Sequence, residues 1–418
     1  MPASHLTQQV RAAFPKGLPE CLGIAVSGGG DSMALLHVLQ GLCLDGSLHL
    51  QAVTVDHGLR PEAADEAAQV AKACGSLGIP HETLVWDGWD GSGNLQNAAR
   101  KARFALIAAW AARQGIGTVA LGHTADDQAE TLLMRLAREA GVDGLSGIPK
   151  RTTRHGILWV RPLLHVRRAQ LRAYLTAKAV TWSEDPSNED TGFERIKARQ
   201  ALGALEGLGI DAAGLATVAE QMQQAKNALN WQTFLAAKDL ARIEAGAVAL
   251  CARKLKTLPD EIIRRLLVRA IQWINGAVYA PRRGAVANLI AAVKEDTGGT
   301  AEGVQLHCQG GRVWMFRELN AVAQTVSPLS EPWDGRWLVS HPRGAVDSGT
   351  TVRALGDAGL LHCPDWRETG LPRGAAMATP AVWRGESLLA APVLKPQMGW
   401  QAKLKGGEDS FFAALLSH

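Results

Sequence analysis

Cysteine is scarce in this chain, with six residues in 418, at positions 21, 43, 74, 251, 308 and 363. No two of them stand in a C-x-x-C spacing, which excludes a locally encoded zinc ribbon or dithiol redox pair. Buried free thiols in a reducing compartment are the expectation. Tyrosine is rarer still, two residues against 13 tryptophans. Long apolar runs are missing as well. The longest candidate, Phe104 to Ala112, is half of the about 18 residues that a bilayer span needs. The opening stretch MPASHLTQQVRAAFPKGLPE holds no uninterrupted apolar segment and no small-residue cleavage pattern, so no secretory signal is expected. Nor does one sign of charge dominate: 44 basic against 40 acidic side chains gives +4, which by itself announces no nucleic-acid binder. What remains is a soluble cytoplasmic protein with no membrane partner. At roughly 150 residues per domain, its length predicts two or three domains.

What is present begins with alternation. Strand-like runs at Cys21 to Val26, Leu48 to Val55, His81 to Trp86 and Thr118 to Leu121 are each followed by a helical pattern: Ser32 to Leu42, Pro61 to Leu77, Leu95 to Arg113 and Asp126 to Arg138. That order predicts an α/β domain whose parallel sheet carries helices on both faces. Its ligands belong at the carboxyl ends of the strands. From Leu145 to Gln200 the chain turns basic and Gly/Pro/Ser-punctuated, with one helix expected at about Arg168 to Lys178. A long amphipathic helix starts near Leu215, and helices are expected at Pro259 to Asn275 and from Pro281 to Lys294. After Ser327 the density of Pro, Gly and Trp predicts a small β-rich module. The expected domains are residues 1–210, 211–326 and 327–418. Trp333, Trp337, Trp366 and Trp383 are read as core of the last.

Between the first strand and its helix stands Ser27-Gly28-Gly29-Gly30-Asp31-Ser32. Consecutive glycines allow a tight turn that aims several N–H groups at one point, an anion site at a helix amino terminus. The spacing is neither G-x-x-x-x-G-K-[ST] nor G-x-G-x-x-G. A plainer reading also stands, a Gly-rich join in which Asp31 or Ser32 caps the helix. Further stretches follow in order: Asp56-His57-Gly58-Leu59-Arg60-Pro61; Gly122-His123-Thr124-Ala125-Asp126-Asp127-Gln128-Ala129-Glu130-Thr131; Arg161-Pro162-Leu163-Leu164; and Asp185-Pro186-Ser187-Asn188. For Asp126 and Asp127 the alternative is N-capping of the helix they open.

The first loop resembles the pyrophosphate loop (PP-loop) of the ATP pyrophosphatase superfamily. Together the stretches resemble the tRNA(Ile)-lysidine synthetase family over about residues 20 to 200. The resemblance implies a Rossmann-like parallel sheet with the PP-loop in the N-terminal domain, then a mainly helical middle domain and a small mixed, β-rich C-terminal domain, the last two in contact with tRNA. It implies a carbon–nitrogen ligase that uses ATP and Mg²⁺. ATP adenylates O2 of cytidine 34 in a CAU anticodon, pyrophosphate leaves, and the L-lysine amine displaces AMP at C2 to give lysidine. Ser27, Gly28, Gly29, Gly30, Asp31, Ser32, Asp56, His57 and His123 are the implied nucleotide-binding residues. Asp31 and Asp127 are the implied metal-placing and catalytic residues, with Asp127 also an acid/base candidate. The partners so implied are tRNA(Ile) and L-lysine, and a homodimer is compatible with the sequence.

This sequence departs from the family pattern at Arg138-Glu139-Ala140-Gly141, where R-G-S-G is usual. It departs again at Arg195-Ile196-Lys197-Ala198-Arg199 for R-N-x-I-R, and at Phe104 for Tyr. Eleven basic side chains face five acidic ones from Lys150 to Gln200, and eight face two from Arg253 to Arg283. Segments like these can follow an RNA backbone, or can be solvated helix faces. Arg100, Arg103, Arg195 and Arg199 are the candidate tRNA contacts. Two rivals remain: a tRNA base sulfur transferase of the same superfamily, disfavoured by the isolated cysteines, and a catalytically inactive tRNA-binding relative, disfavoured by intact Asp31 and Asp127.

Overall fold

Five parallel strands and one antiparallel edge strand form the sheet around which the first part of the chain is built. The computed structural model describes residues 3–43, 48–58, 62–89, 91, 94–184, 194–341, 349–395 and 399–416. Leu59, Arg60, Pro61 and the Asp185-Pro186-Ser187-Asn188 stretch lie outside the described residues. Two compact units divide the chain, residues 1–226 and 227–417.

In the first unit the order is α1 (Ala3–Ala12), β1 (Cys21–Ala25), α2 (Gly30–Leu42), β2 (His49–Asp56), α3 (Glu62–Ser76), β3 (His81–Val85), α4 (Leu95–Arg113), β4 (Thr118–Leu121), α5 (Ala125–Leu136), α6 (Val142–Leu145), β5 (Arg151–Arg154), β6 (Ile157–Val160), α7 (Arg168–Ala177) and α8 (Glu194–Glu206). The sheet order is β3-β2-β1-β4-β6-β5. β1 is apolar along its length and has its neighbours on both faces, as a central parallel strand requires. Leu35, Leu36 and Leu39 of α2 are fully buried against one face of the sheet. Phe104, Ile107, Trp110 and Ala111 of α4 are buried against the other. Helix starts are fixed locally: the Asn94 side chain accepts from Asn97 N at 2.9 Å to cap α4, and Thr124 with Asp127 forms a capping box on α5.

The chain runs from β1 outward to β2 and β3, then returns to place β4 on the other side of β1. The loops leaving β1 and β4 therefore diverge, and the crevice between them is the ligand position of an open α/β sheet.

Between Leu145 and Gln200 the structure adds to the single expected helix. β5 and β6 form an antiparallel hairpin, and α8 begins at Glu194. The hairpin turn His155-Gly156 has φ of +53° and +75°, the two-residue geometry that matches strand twist. Arg151-Thr152-Thr153-Arg154 is a polar edge strand, so it lacks the apolar run that marks a central one.

α9 (Ala212–Leu240) is the long amphipathic helix, and the unit boundary falls within it. In the second unit β7 (Ala241–Glu244) and β8 (Ala247–Cys251) precede α10 (Ala252–Leu255), α11 (Asp260–Asn275) and α12 (Arg283–Lys294). Then come β9 (Gly299–Ala301), β10 (Val304–Gln309) and β11 (Arg312–Arg317). These strands pair antiparallel in the order β7-β8-β11-β10-β9. Ile263, Leu266, Leu267 and Ile271 of α11 are buried with Val248, Leu250, Val313 and Met315 of the sheet. β7 and β8 escaped the sequence reading because they are short and joined by Ala245-Gly246, a turn with no Asn or Asp to mark it. Beyond residue 326, Ser327–Pro328, Thr350–Ala354, Pro380–Arg384 and Ser387–Ala390 make a four-stranded antiparallel sheet, and Trp337–Ser340 pairs with Gln401–Leu404. Trp333, Trp337 and Trp383 are buried in its core and Trp366 is half-buried there, as read from sequence. All six cysteines are free.

Candidate active site

The PP-loop is held by its own two serines. Ser27 N donates to Ser32 Oγ at 3.1 Å, the two hydroxyls lie 3.2 Å apart, and Ser32 Oγ donates to the Gly29 carbonyl at 2.9 Å. Gly28 turns through φ of +83°, and its carbonyl accepts from Ser183 N at 3.0 Å. The first turn of α2 follows at once, and its amides have no intrahelical acceptor, so they face the crevice as anion donors. Gly122 at the end of β4 closes the other side. A Cβ there would meet Ser32 Cα at 3.0 Å and Ser32 N at 3.1 Å, so only glycine lets the β4 loop lie against the PP-loop.

A cavity of about 490 Å³ opens at this point. Ser27, Gly29, Gly30, Asp31 and Ser32 line it, as do His57, His123, Asp127, Arg103, Arg195 and Arg199. The crevice thus gathers residues 27 to 199 that sequence singled out. Three of them stand elsewhere. Gly28 supports the loop from behind. Asp56 accepts from Gly58 N at 2.8 Å and is spent on its turn. Arg100 lines a smaller hollow alongside.

Three carboxylates converge on one guanidinium, and a fourth on the backbone of the same residue. Arg168, at the start of α7, donates through Nε to Asp31 at 3.0 Å, through Nη2 to Asp127 at 3.3 Å and through Nη1 to Glu130 at 3.4 Å; its backbone N donates to Asp126 at 2.6 Å. Glu130, 1% exposed, also accepts from Arg199 Nε at 3.0 Å and has Arg195 at 3.9 Å. Arg168 and Glu130 were not singled out from sequence. Glu130 had a signal: it stands three residues after Asp127 on α5 and so shares its face. Arg168 had none, since its charge looked like one of many in a basic segment.

The environment drives the carboxylates apart. Burial raises the Asp31 carboxyl above its usual range despite Arg168, with Asp127 and Asp126 adding to the rise. One oxygen, Asp31 Oδ1, is buried with no hydrogen-bond partner. Burial pushes Asp127 the same way, but His123, Arg168, the Thr124 N–H and Arg195 prevail and hold it below the usual carboxylate range. Burial opposes the Arg168 charge, and the three carboxylates outweigh it, so Arg168 stays protonated. His123 is pushed down to about 3 by burial, against the pull of Asp127, and is a neutral imidazole at ordinary pH. His57 is lowered by burial and by Arg103.

The second basic segment is largely committed to local partners. Lys254 pairs with Asp239 and Lys256 with Asp296, each at 2.5 Å, while Arg264 and Arg265 both pair with Glu261. Four of its eight charges therefore face carboxylates before any RNA arrives. Arg195 and Arg199 stand at the crevice itself.

Comparison with known proteins accords with this geometry. The PP-loop domain family matches residues 2–206. The chain is 51% identical over 416 residues to the tRNA(Ile)-lysidine synthase of Ruegeria pomeroyi, covering 100% of this chain and 99% of that protein. It is 41% identical over 290 residues to the enzyme of that name from Bradyrhizobium diazoefficiens, covering 66% of this chain and 78% of that one. Among solved structures, the U34-tRNA thiolase NcsA of Methanococcus maripaludis aligns over 53% of this chain and 78% of its own, at 15% identity and a TM-score of 0.46.

Proposed function

This chain belongs to the tRNA(Ile)-lysidine synthase family, and from that premise we propose how its residues divide the work of the reaction. The protein is a ligase that uses ATP to form lysidine at the anticodon of tRNA(Ile). The observation that carries the assignment of roles is the meeting of Asp31 and Asp127, from the first turns of α2 and α5, at Arg168 in the cavity that the PP-loop lines at the switch point of the sheet.

The PP-loop amides and the Ser27 and Ser32 hydroxyls hold the β and γ phosphates, so the leaving pyrophosphate departs into preformed donors. The exposed ends of β2 and β4, with His57 and His123, take the nucleoside side of ATP. Asp31 and Asp127 suit Mg²⁺: they are hard oxygen donors, and Asp31 Oδ1 is buried with no partner. Among the described residues no group of three or more His, Cys, Asp or Glu could hold a metal ion, and Asp31 and Asp127 would hold Mg²⁺ as a pair. It would neutralise charge on the departing pyrophosphate.

Asp127 is held ionised, which suits a group that orients an ammonium better than one that removes its proton. L-lysine is the proposed nucleophile, its amine facing the Asp127 and Glu130 side of the crevice. Adenylation at O2 turns a poor leaving oxygen into AMP, so the lysine amine, once its ammonium has given a proton to water, attacks C2 as the C2–O2 bond breaks and AMP carries O2 away. Arg195, Arg199 and Arg103 face the RNA, with Arg100 beside them. Residues 211–326 and 327–418 are proposed as two tRNA-contacting parts, and a homodimer as the assembly. No helix among the described residues is long and apolar enough to cross a membrane; a cytoplasmic location follows from the substrate.

The test supplies ATP, Mg²⁺, labelled lysine and a tRNA transcript with a CAU anticodon. Label enters the RNA only when position 34 is cytidine, and Asp127→Asn abolishes incorporation. Unlabelled RNA with ATP left intact would overturn the reading. Pyrophosphate release without lysine transfer would point to a different nucleophile.

A further inference from the structure

The PP-loop serines fix Ser27 N and the Gly29 carbonyl, while the peptide joining Gly28 to Gly29 is held from elsewhere. Glycine accepts either sign of φ, so a Gly-Gly peptide can rotate by half a turn with little resistance. In a planar trans peptide the C=O and the N–H point in opposite directions. The Gly28 carbonyl is tied outward to Ser183 N at 3.0 Å, which turns the Gly29 N–H inward. Gly29 accordingly lines the cavity and Gly28 does not. Rotated, the same peptide would aim a carbonyl oxygen at the phosphates in place of a donor.

The Ser183 donor is delivered by the way α7 ends. Ala179 turns through φ of +54°, its N donates to the Thr176 carbonyl, and Val180 N donates to the Leu175 carbonyl, each at 3.0 Å. This reversal closes many helices, and here Val180 packs in the same apolar cluster as Leu175. The returning chain, residues 180–184, runs beside the PP-loop and forms a parallel bridge between Gly29 and Ser183. Two side chains seat it. Trp182 packs against the cluster that holds Leu35, Leu36 and Leu39, and a Cβ on Gly30 would meet its Cδ1 at 3.3 Å. Ser183 Oγ donates to Gln69 Oε1 of α3 at 3.3 Å.

We propose that Trp182 and Ser183 are positioning residues of the adenylation step. They latch the Gly28–Gly29 peptide with its N–H toward the phosphates, so the loop is a set of donors before ATP arrives. Donors fixed in advance need no reorganisation as charge develops on the leaving group. The latch acts on the β and γ phosphates, which depart as pyrophosphate, and not on the part of ATP that becomes AMP. This inference rests on the reading of the PP-loop above and adds to it two residues from outside the loop.

The experiment uses the whole protein and measures inhibition of the labelling reaction by its two products, pyrophosphate and AMP. Ser183→Pro removes the N–H. It is expected to raise the inhibition constant for pyrophosphate and the KM for ATP by about tenfold, the loss of one hydrogen bond to a charged group. The inhibition constant for AMP and the KM for tRNA should stay unchanged, which also shows that the variant folds. Ser183→Ala keeps the N–H and should regain most of the pyrophosphate affinity that Ser183→Pro loses. Trp182→Ala keeps every backbone donor but unseats the strap, so it is expected to give the same selective loss, and it decides the matter if the proline variant does not fold. Unchanged pyrophosphate inhibition in a folded variant of either kind overturns the proposal. So does an equal loss of AMP and pyrophosphate, or a Ser183→Ala protein as impaired as Ser183→Pro. Wild-type protein that pyrophosphate does not inhibit would instead overturn the reading of the loop on which the inference rests.

Discussion

Nε of Arg168 donates to Oδ2 of Asp31 at 3.0 Å, joining the first turn of α2 to the first turn of α7 across 137 positions of sequence. Both side chains are about one-fifth exposed, and the same guanidinium reaches Asp127 and Glu130. It is therefore the charge that lets three carboxylates share one crevice. Arg168→Ala leaves them facing one another. We expect a loss of roughly 1–3 kcal/mol in stability, less than for a fully buried network because water reaches the site. Lysine incorporation should fall steeply, and Arg168→Lys should not restore it, since a single ammonium cannot fork to three acceptors. Thermal melts and the labelling assay check both. An active, fully stable Arg168→Ala protein would show the bridge to be incidental.

Gly122→Ala tests the close approach of the two loops. The added Cβ would press on backbone atoms of Ser32 and Asp31, which cannot swing aside as a side-chain tip could. Overpacking of this kind costs about 1–3 kcal/mol. Because the strain is placed on the anion-binding turn, ATP affinity should drop more than the melting temperature suggests. Equilibrium ATP binding is the measurement, and unaltered affinity would contradict the account.

Glu139 stands where the family pattern carries glycine, and its φ is +54°. A side chain in the left-handed region costs roughly 1–2 kcal/mol. Glu139→Gly should therefore stabilise the protein by about 1 kcal/mol, read as a higher denaturant midpoint at unchanged slope. A lower midpoint would mean that contacts of Glu139 outweigh its backbone strain.

His123 gives a pH prediction with a definite sign. Its ordinary value is 6.5, and burial takes it to about 3 in the folded protein. Between those values the unfolded chain binds a proton that the folded chain refuses, so stability falls as pH drops through this window. Asp127, held low in the folded state, adds a second loss only at the acid end. His123→Gln should flatten the decline between about pH 6.5 and 4 and leave the rest. Chemical denaturation across that range is the check; an unchanged slope would place His123 in contact with water.

Much of this was legible in the chain itself. The alternation of apolar runs with helical patterns determined the parallel sheet, because strand and helix periodicities are local. The glycines and serines of residues 27–32 determined an anion-binding turn, because its donors come from consecutive backbone atoms. Isolated cysteines and the absence of long apolar runs removed whole classes of chemistry before any fold was considered. Short polar hairpins such as β5–β6 escaped, since an edge strand has little burial to pattern it.

Tertiary structure decided which charges meet. Nothing local distinguishes Arg168 from Arg167, yet Arg168 bridges Asp31, Asp127 and Glu130, while Arg167 turns away to Glu206 and Asp211. Asp56 ends β2 and Asp31 opens the helix after β1, yet one accepts from its own turn and the other has a buried oxygen with no partner. The physical reason is the same in both cases. Composition sets how much charge a chain carries, but the energy of a charge depends on burial and on the partner across the crevice, and those are set by strand order.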